Sequence, residues 1–139
     1  MKITYKYNNV DLKTYGVSVA KGRGFIGKPE RKEPKKYEFP DEHGFTPDLA
    51  VPVFKERTIT LDCYIIGSSA TDLVTKFNTF STAMLGVTDL VAFTVAIDST
   101  TVFTGNVYTS GISELNKTFD EGKNVGTFTL TIIEPNPTI

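Results

Sequence analysis

The chain has 139 residues, 40% of them hydrophobic and 22% charged, with a formal net charge of −1. That length suits one domain with a core of its own, and the near-neutral total excludes a polyelectrolyte that binds with its whole surface. The single cysteine, Cys63, excludes an internal disulfide framework and a cysteine zinc site, and no run reaches the roughly 18 apolar residues of a membrane-spanning helix.

The opening residues lack the apolar stretch of a secretory signal, so folding in a cytoplasm is the expectation. Twenty threonines, ten phenylalanines and no tryptophan lean toward β-structure. Lys2 to Tyr7 alternates and predicts a first strand, ended by the turn signal Asn8-Asn9. Tyr15 to Ala20 predicts a second strand, closed by the glycines from Gly22 onward. Val53 to Ile66 predicts a long strand with Ile59, Leu61, Cys63 and Ile65 on one face and Thr58, Thr60, Asp62 and Tyr64 on the other. Leu73, Val74, Phe77, Phe80 and Met84 recur at helical spacing and predict a helix over about 71–85. Ser69 is its expected N-cap, Asp72 favours the positive end of the helix dipole, and Gly86 is its expected stop. Leu90–Ile97 and Val102–Thr109 form an expected hairpin through Asp98-Ser99-Thr100. Ile112 to Phe119 is a weaker strand, and Gly126–Ile133 is the last. These elements predict a mainly β fold: an antiparallel β-sandwich or partly open barrel with one flanking α-helix and a long extended arm.

The arm is residues 21–52, KGRGFIGKPERKEPKKYEFPDEHGFTPDLAVP, within a single domain covering 1–139. Pro29, Pro34, Pro40, Pro47 and Pro52 break it. Structureless inserts of this length inside a domain are usually functional or disordered. Yet it carries Phe25, Ile26, Tyr37, Phe39, Phe45, Leu49 and Val51, which a purely disordered segment tends to lack. The combination points to an arm that orders against a partner. Phe25, Tyr37, Phe39 and Phe45 are the candidate interface anchors, with Arg31, Lys32, Lys35 and Lys36 setting orientation. Deletion of 24–45 is expected to leave a folded monomer. Between Lys21 and Lys36 seven basic residues stand against Glu30 and Glu33, a balance of +5 that leaves −6 to the rest. That asymmetry permits a small nucleic-acid-binding module as an alternative, but no compact aromatic platform accompanies it. A basic arm laid on an acidic patch of a neighbouring copy is the preferred reading.

Gly22 to Lys28 matches both G-x-G-x-x-G and G-x-x-x-x-G-K. Either motif needs a helix to start at the loop, and Pro29 stands where a phosphate loop needs Ser or Thr. The plain reading is a flexible start to the arm. Asp41, Glu42 and His43 are a weak ligand set on one loop. Glu114, Asp120 and Glu121 read as loop carboxylates, and Cys63 as a small buried hydrophobe. No catalytic, cofactor or metal site is expected, and no enzyme activity.

Four stretches together carry a family likeness: the opening strand and turn leading to Tyr15-Gly16-Val17-Ser18-Val19; the arm ending in Phe39-Pro40-Asp41-Glu42-His43-Gly44; Phe54 to Leu61 with the following helix; and the closing Phe128 to Pro137. In this order they resemble the N-terminal ring domain of phage distal tail proteins, a tail-tube-like fold. The resemblance implies a structural phage or prophage tail protein whose arm reaches a neighbouring copy in a ring, hexameric in that family's pattern. The ring would connect the tail tube to the baseplate or tail tip, with DNA only in transit through the channel and no membrane partner. It implies a place in the virion tail, and in the bacterial cytoplasm before assembly. Tail tube and secretion-tube proteins share the general fold and are the nearest alternative. Longer family members append a host-contacting domain that is not in this sequence, so the ring is the expected function.

Overall fold

The computed structural model describes residues 2–41, 43–50, 52–120 and 123–137, with backbone alone for 118–120 and 123. In chain order the elements are β1 (Ile3–Tyr7), β2 (Val10–Asp11), a short 3-10 helix (Leu12–Tyr15), β3 (Val17–Arg23), β4 (Lys36–Tyr37), β5 (Thr46–Pro47), β6 (Arg57–Gly67), α1 (Ala70–Leu85), β7 (Val91–Ile97), β8 (Thr100–Ile112), β9 (Asn116–Asp120) and β10 (Lys123–Glu134). All described pairings are antiparallel. The main sheet runs β2-β1-β7-β8-β10-β6-β3, with β9 also on β10, and does not close into a barrel.

One strand makes the sandwich. The first part of β8 pairs with β7, from Thr100 opposite Ile97 to Val107 opposite Val91. Its last part pairs with β10, from Tyr108 opposite Ile133 to Ile112 opposite Leu130. The strand thus passes from one layer to the other, and a register shift at Thr131/Ile132 marks the corner. The opposite side stays open between β1 and β3.

Period-two patterning fixes which face meets the core. Ile59, Leu61, Cys63 and Ile65 of β6 are buried, as are Phe128, Leu130 and Ile132 of β10. These two strands pair continuously from Asn124 opposite Gly67 to Glu134 opposite Arg57. A one-residue slip would turn both apolar faces outward. The hairpin turns follow the same local logic. Asn8 and Asn9 have φ of 54° and 64°, and Asp98 and Ser99 have 46° and 73°. Two-residue turns with both φ positive match the twist of the strands they join.

α1 begins where the spacing places it. The Ser69 hydroxyl accepts the Asp72 N–H at 3.1 Å, and the Asp72 carboxylate accepts the Ser68 N–H at 2.9 Å. Leu73, Phe80 and Met84 are buried. Phe80 packs against Tyr15 and Phe128, with ring centroids 5.8 and 5.4 Å away. Gly86 ends the helix at φ −81°, so it serves not as a left-handed residue but by its lack of a Cβ, which would crowd the Thr82 carbonyl.

Several boundaries differ from the sequence reading, among them the last strand, which runs Lys123–Glu134. β3 runs on through Gly22 to Arg23, because the missing Cβ at Gly22 leaves room for the Phe25 and Tyr5 rings. β6 starts at Arg57, since Phe54 pairs with the arm at Arg31 instead. β8 extends to Ile112. The weak strand at 112–119 is split, because Ser113 turns to bond Thr129 through both its N–H and its hydroxyl, and β9 begins only at Asn116.

Candidate assembly surface

The arm leaves the body through an arginine. Arg57 lies on the inward phase of β6, in step with Ile59 and Leu61, and is 8% exposed. Its Nε donates to Glu134 Oε1 at 3.2 Å. Its Nη1 donates to the carbonyls of Gly24, Phe25 and Gly27 at 3.2, 3.2 and 3.0 Å. Its guanidinium also lies 5.3 Å from the centre of the Phe103 ring. Gly24, at φ +91°, makes the loop possible, because a Cβ there would collide with the Thr58 carbonyl. The glycine-rich loop therefore turns its carbonyls inward onto a cation. A phosphate loop would present amides from a helix N-terminus, and no helix starts here.

Burial pushes the Glu134 carboxyl above its ordinary range, and the Arg57 charge pulls against that push. Desolvation thus outweighs the ion pair, as is common for charges removed from water. Arg57 and Glu134 tie the root of the arm to the end of the last strand, 77 positions apart.

Beyond the root the arm is a two-legged ribbon rather than a structureless insert. Lys32 N–H bonds the Val53 carbonyl at 2.9 Å, Lys55 N–H the Glu30 carbonyl at 2.7 Å, and Asp48 N–H the Lys35 carbonyl at 2.7 Å. Lys36 pairs with Pro47 and Tyr37 with Thr46 across the legs. The prolines remove donors and keep this ladder intermittent.

The candidate residues fall into three groups. Phe25 is buried in the protomer's own core, edge-on to Tyr5 at 6.0 Å, so its ring is not a free anchor. Arg31 and Lys32 lie exposed on the first leg near the root. Lys35, Lys36, Tyr37, Phe39 and Phe45 belong to the outer part of the arm. Lys35 Nζ stands 5.5 Å from the Tyr37 ring centre and Lys36 Nζ 4.7 Å from that of Phe45. Lys36 also pairs with Glu33, and that bonded ammonium holds the Glu33 carboxyl below its ordinary range. Tyr37, Phe39 and Phe45 remain 43%, 52% and 49% exposed, and Leu49 and Val53 of the other leg are exposed as well.

Among the described residues no group of three or more His, Cys, Asp or Glu could hold a metal ion. His43 and Glu114 are exposed. Glu42 and Glu121 lie outside the described residues, and the side chain of Asp120 with them. Burial pushes the Cys63 thiol up to about 12, which keeps it an unreactive core residue. Among the described residues, no helix is long and apolar enough to cross a membrane.

Sequence reading missed Arg57 and Glu134. A signal was present: each is a charge on the apolar phase of a strand, Arg57 before Ile59 and Glu134 after Ile132. A charge at such a position needs a buried partner.

No protein-family model and no curated protein matches the chain. Among solved structures, the crystal structure of the Dit (gp 19.1) protein of SPP1 aligns with a TM-score of 0.64 at 18% identity over 94% of this chain. That protein is described as a paradigm of the hub adsorption apparatus in phages infecting Gram-positive bacteria. The fold is similar to that of a phage tail hub protein. The chain spans 49% of that protein's length, and at this identity the likeness is one of fold.

Proposed function

We propose that this chain is a structural phage tail protein that assembles with copies of itself into a ring at the hub end of the tail, without catalytic activity. The observation that carries the reading is the arm. It carries Tyr37, Phe39, Phe45 and Leu49, and each is exposed. Aromatic side chains dominate interface energetics, and displaying a row of them on a ribbon makes sense when a second surface receives them. An arm on one patch and a receiving surface on another make a head-to-tail contact, which closes into a ring when the rotation permits. A six-fold ring between tail tube and baseplate or tip, with DNA passing through it, is the specific form of this proposal.

A nucleic-acid role for the basic arm is less well supported. Single-strand binders stack bases on aromatic side chains along a basic groove, whereas Tyr37 and Phe45 stand on opposite legs of a narrow ribbon, each with a lysine ammonium near its ring.

The test is the mass in solution by light scattering over a range of concentration and salt, for the intact chain and for one with 30–54 replaced by a short Gly-Ser linker. The replacement keeps Phe25 and the three carbonyls that Arg57 needs, which a deletion of 24–45 would remove. The intact chain should form a closed oligomer, and the linker variant should be a folded monomer. A full-sized oligomer without the arm would overturn the reading.

A further inference from the structure

The sandwich has one open seam. β3 ends the sheet, so its outer edge has no strand beside it among the described residues. β1 pairs with β2 at Lys6 and Tyr7, and among the described residues no strand lies on the same side of Ile3–Tyr5. Between these edges lies a groove of about 560 Å³. Buried Leu12, Val17 and Phe25 form its floor, half-buried Ile3 and Val19 its walls, and Ile26, 72% exposed, its mouth at the root of the arm.

We propose that this groove receives residues 35–39 of the arm of an adjacent copy, added as an extra strand beside β3 with Tyr37 and Phe39 seated in the groove. The inference rests on the assembly reading above and names the surface that reading leaves open.

The segment suits the site for several reasons. Pro34 and Pro40 bracket Lys35 to Phe39, which contains no proline, so no N–H is missing from the edge that faces away from β5. The opposite leg carries Pro47 within β5. β5 uses one side of β4, and among the described residues no strand lies on its other edge. Tyr37 and Phe39 are two residues apart and therefore share a face in an extended strand. Addition of a strand to a sheet edge takes its affinity from main-chain bonds and its specificity from alternate side chains in pockets.

Length selects a second copy as the source. From Gly27 to Tyr37 the leg spans about 33 Å when extended, roughly the width of a small domain. The cross-leg bonds keep the ribbon extended, while the groove opens at the arm's own root.

Cysteine cross-linking between separately made proteins tests the proposal. Glu38→Cys is prepared in one full-length chain and Ala20→Cys in another that carries an affinity tag; both native residues are exposed. Cys63 is buried and does not compete. The two proteins are mixed and treated with a short thiol cross-linker. A mixed covalent dimer is expected, and should not form when Ala20→Cys is replaced by Thr79→Cys on the exposed side of α1. Absence of the Glu38–Ala20 product overturns the proposal. If the arm-replaced chain is monomeric but that product is missing, the groove assignment fails while the ring reading stands. If the arm-replaced chain keeps the full oligomer, the ring reading itself fails. Val19→Lys supplies a second reading: it should lower the oligomer at least tenfold in association constant while circular dichroism stays native, and an unchanged constant would count against the groove.

Discussion

The body and the arm spend the same residue types in opposite ways. Phe80 and Phe93 are fully buried in the sandwich, while Phe39 and Phe45 stand about half exposed on the ribbon. β6 and β10 share a ladder along the whole of Arg57–Gly67, whereas the arm is held by scattered bonds between prolines. The difference is in what each segment can bury within one copy. A strand inside the sheet finds its partners in its own chain. Among the described residues β4 and β5 form a sheet of their own, and a two-stranded hairpin alone is marginal in water. Its rings gain their burial only from another surface. The arm should therefore matter little to the stability of one copy and greatly to association.

Substitutions can break or sharpen this contrast. The largest expected effect is in the body. Phe80→Ala should cost about 3–5 kcal/mol in urea unfolding, since it empties a site packed against Tyr15 and Phe128. At the junction, Arg57→Met should cost about 3 kcal/mol, because it strands buried Glu134 and three carbonyls. The double variant Arg57→Met/Glu134→Gln should recover part of that loss; no recovery would mean the carbonyl contacts alone hold the root. Ser69→Ala should cost about 1 kcal/mol through the lost helix cap, read from the same unfolding curves. Phe39→Ala should change unfolding of the single copy by no more than about 0.5 kcal/mol, yet weaken association about tenfold or more in sedimentation experiments. A Phe39→Ala chain that unfolds much more readily would erase the distinction between arm and body.

Acidity probes the junction more gently. The Glu134 carboxyl titrates higher in the fold than its ordinary 4.5. The folded state therefore holds this proton more tightly than the unfolded state does. Its contribution is fully present below the unfolded value and is lost as pH rises through the raised folded one. Glu134→Gln should remove that part of the pH dependence, visible as a smaller change in urea midpoint between pH 4 and pH 7. An unchanged profile would place the titration elsewhere.

Much of the fold could be read residue by residue. The stripe from Leu73 to Met84 marked α1, Ser69 marked its start, and the alternation along Ile59 to Ile65 marked the buried face of β6. The paired turn residues Asn8-Asn9 and Asp98-Ser99 marked two connections. The exposed aromatics and prolines marked the arm. Phe25 was the misleading one, because nothing local distinguishes a ring that folds back onto Tyr5 from one that waits for a partner. Arg57 and Glu134 were visible as charges out of place, but a period-two pattern does not say which distant charge answers which.

The sequence by itself determined the local facts: where the longer strands and the helix lie, which faces are apolar, and where proline forbids a continuous ladder. These follow from backbone sterics and from the periods of strand and helix. Tertiary structure alone decided the rest. It let β8 change layers, left the seam between β1 and β3 open, and brought Arg57 to Glu134 and to the carbonyls of the glycine loop. Those outcomes depend on contacts between residues far apart in the chain, and such contacts exist only once the two layers have packed.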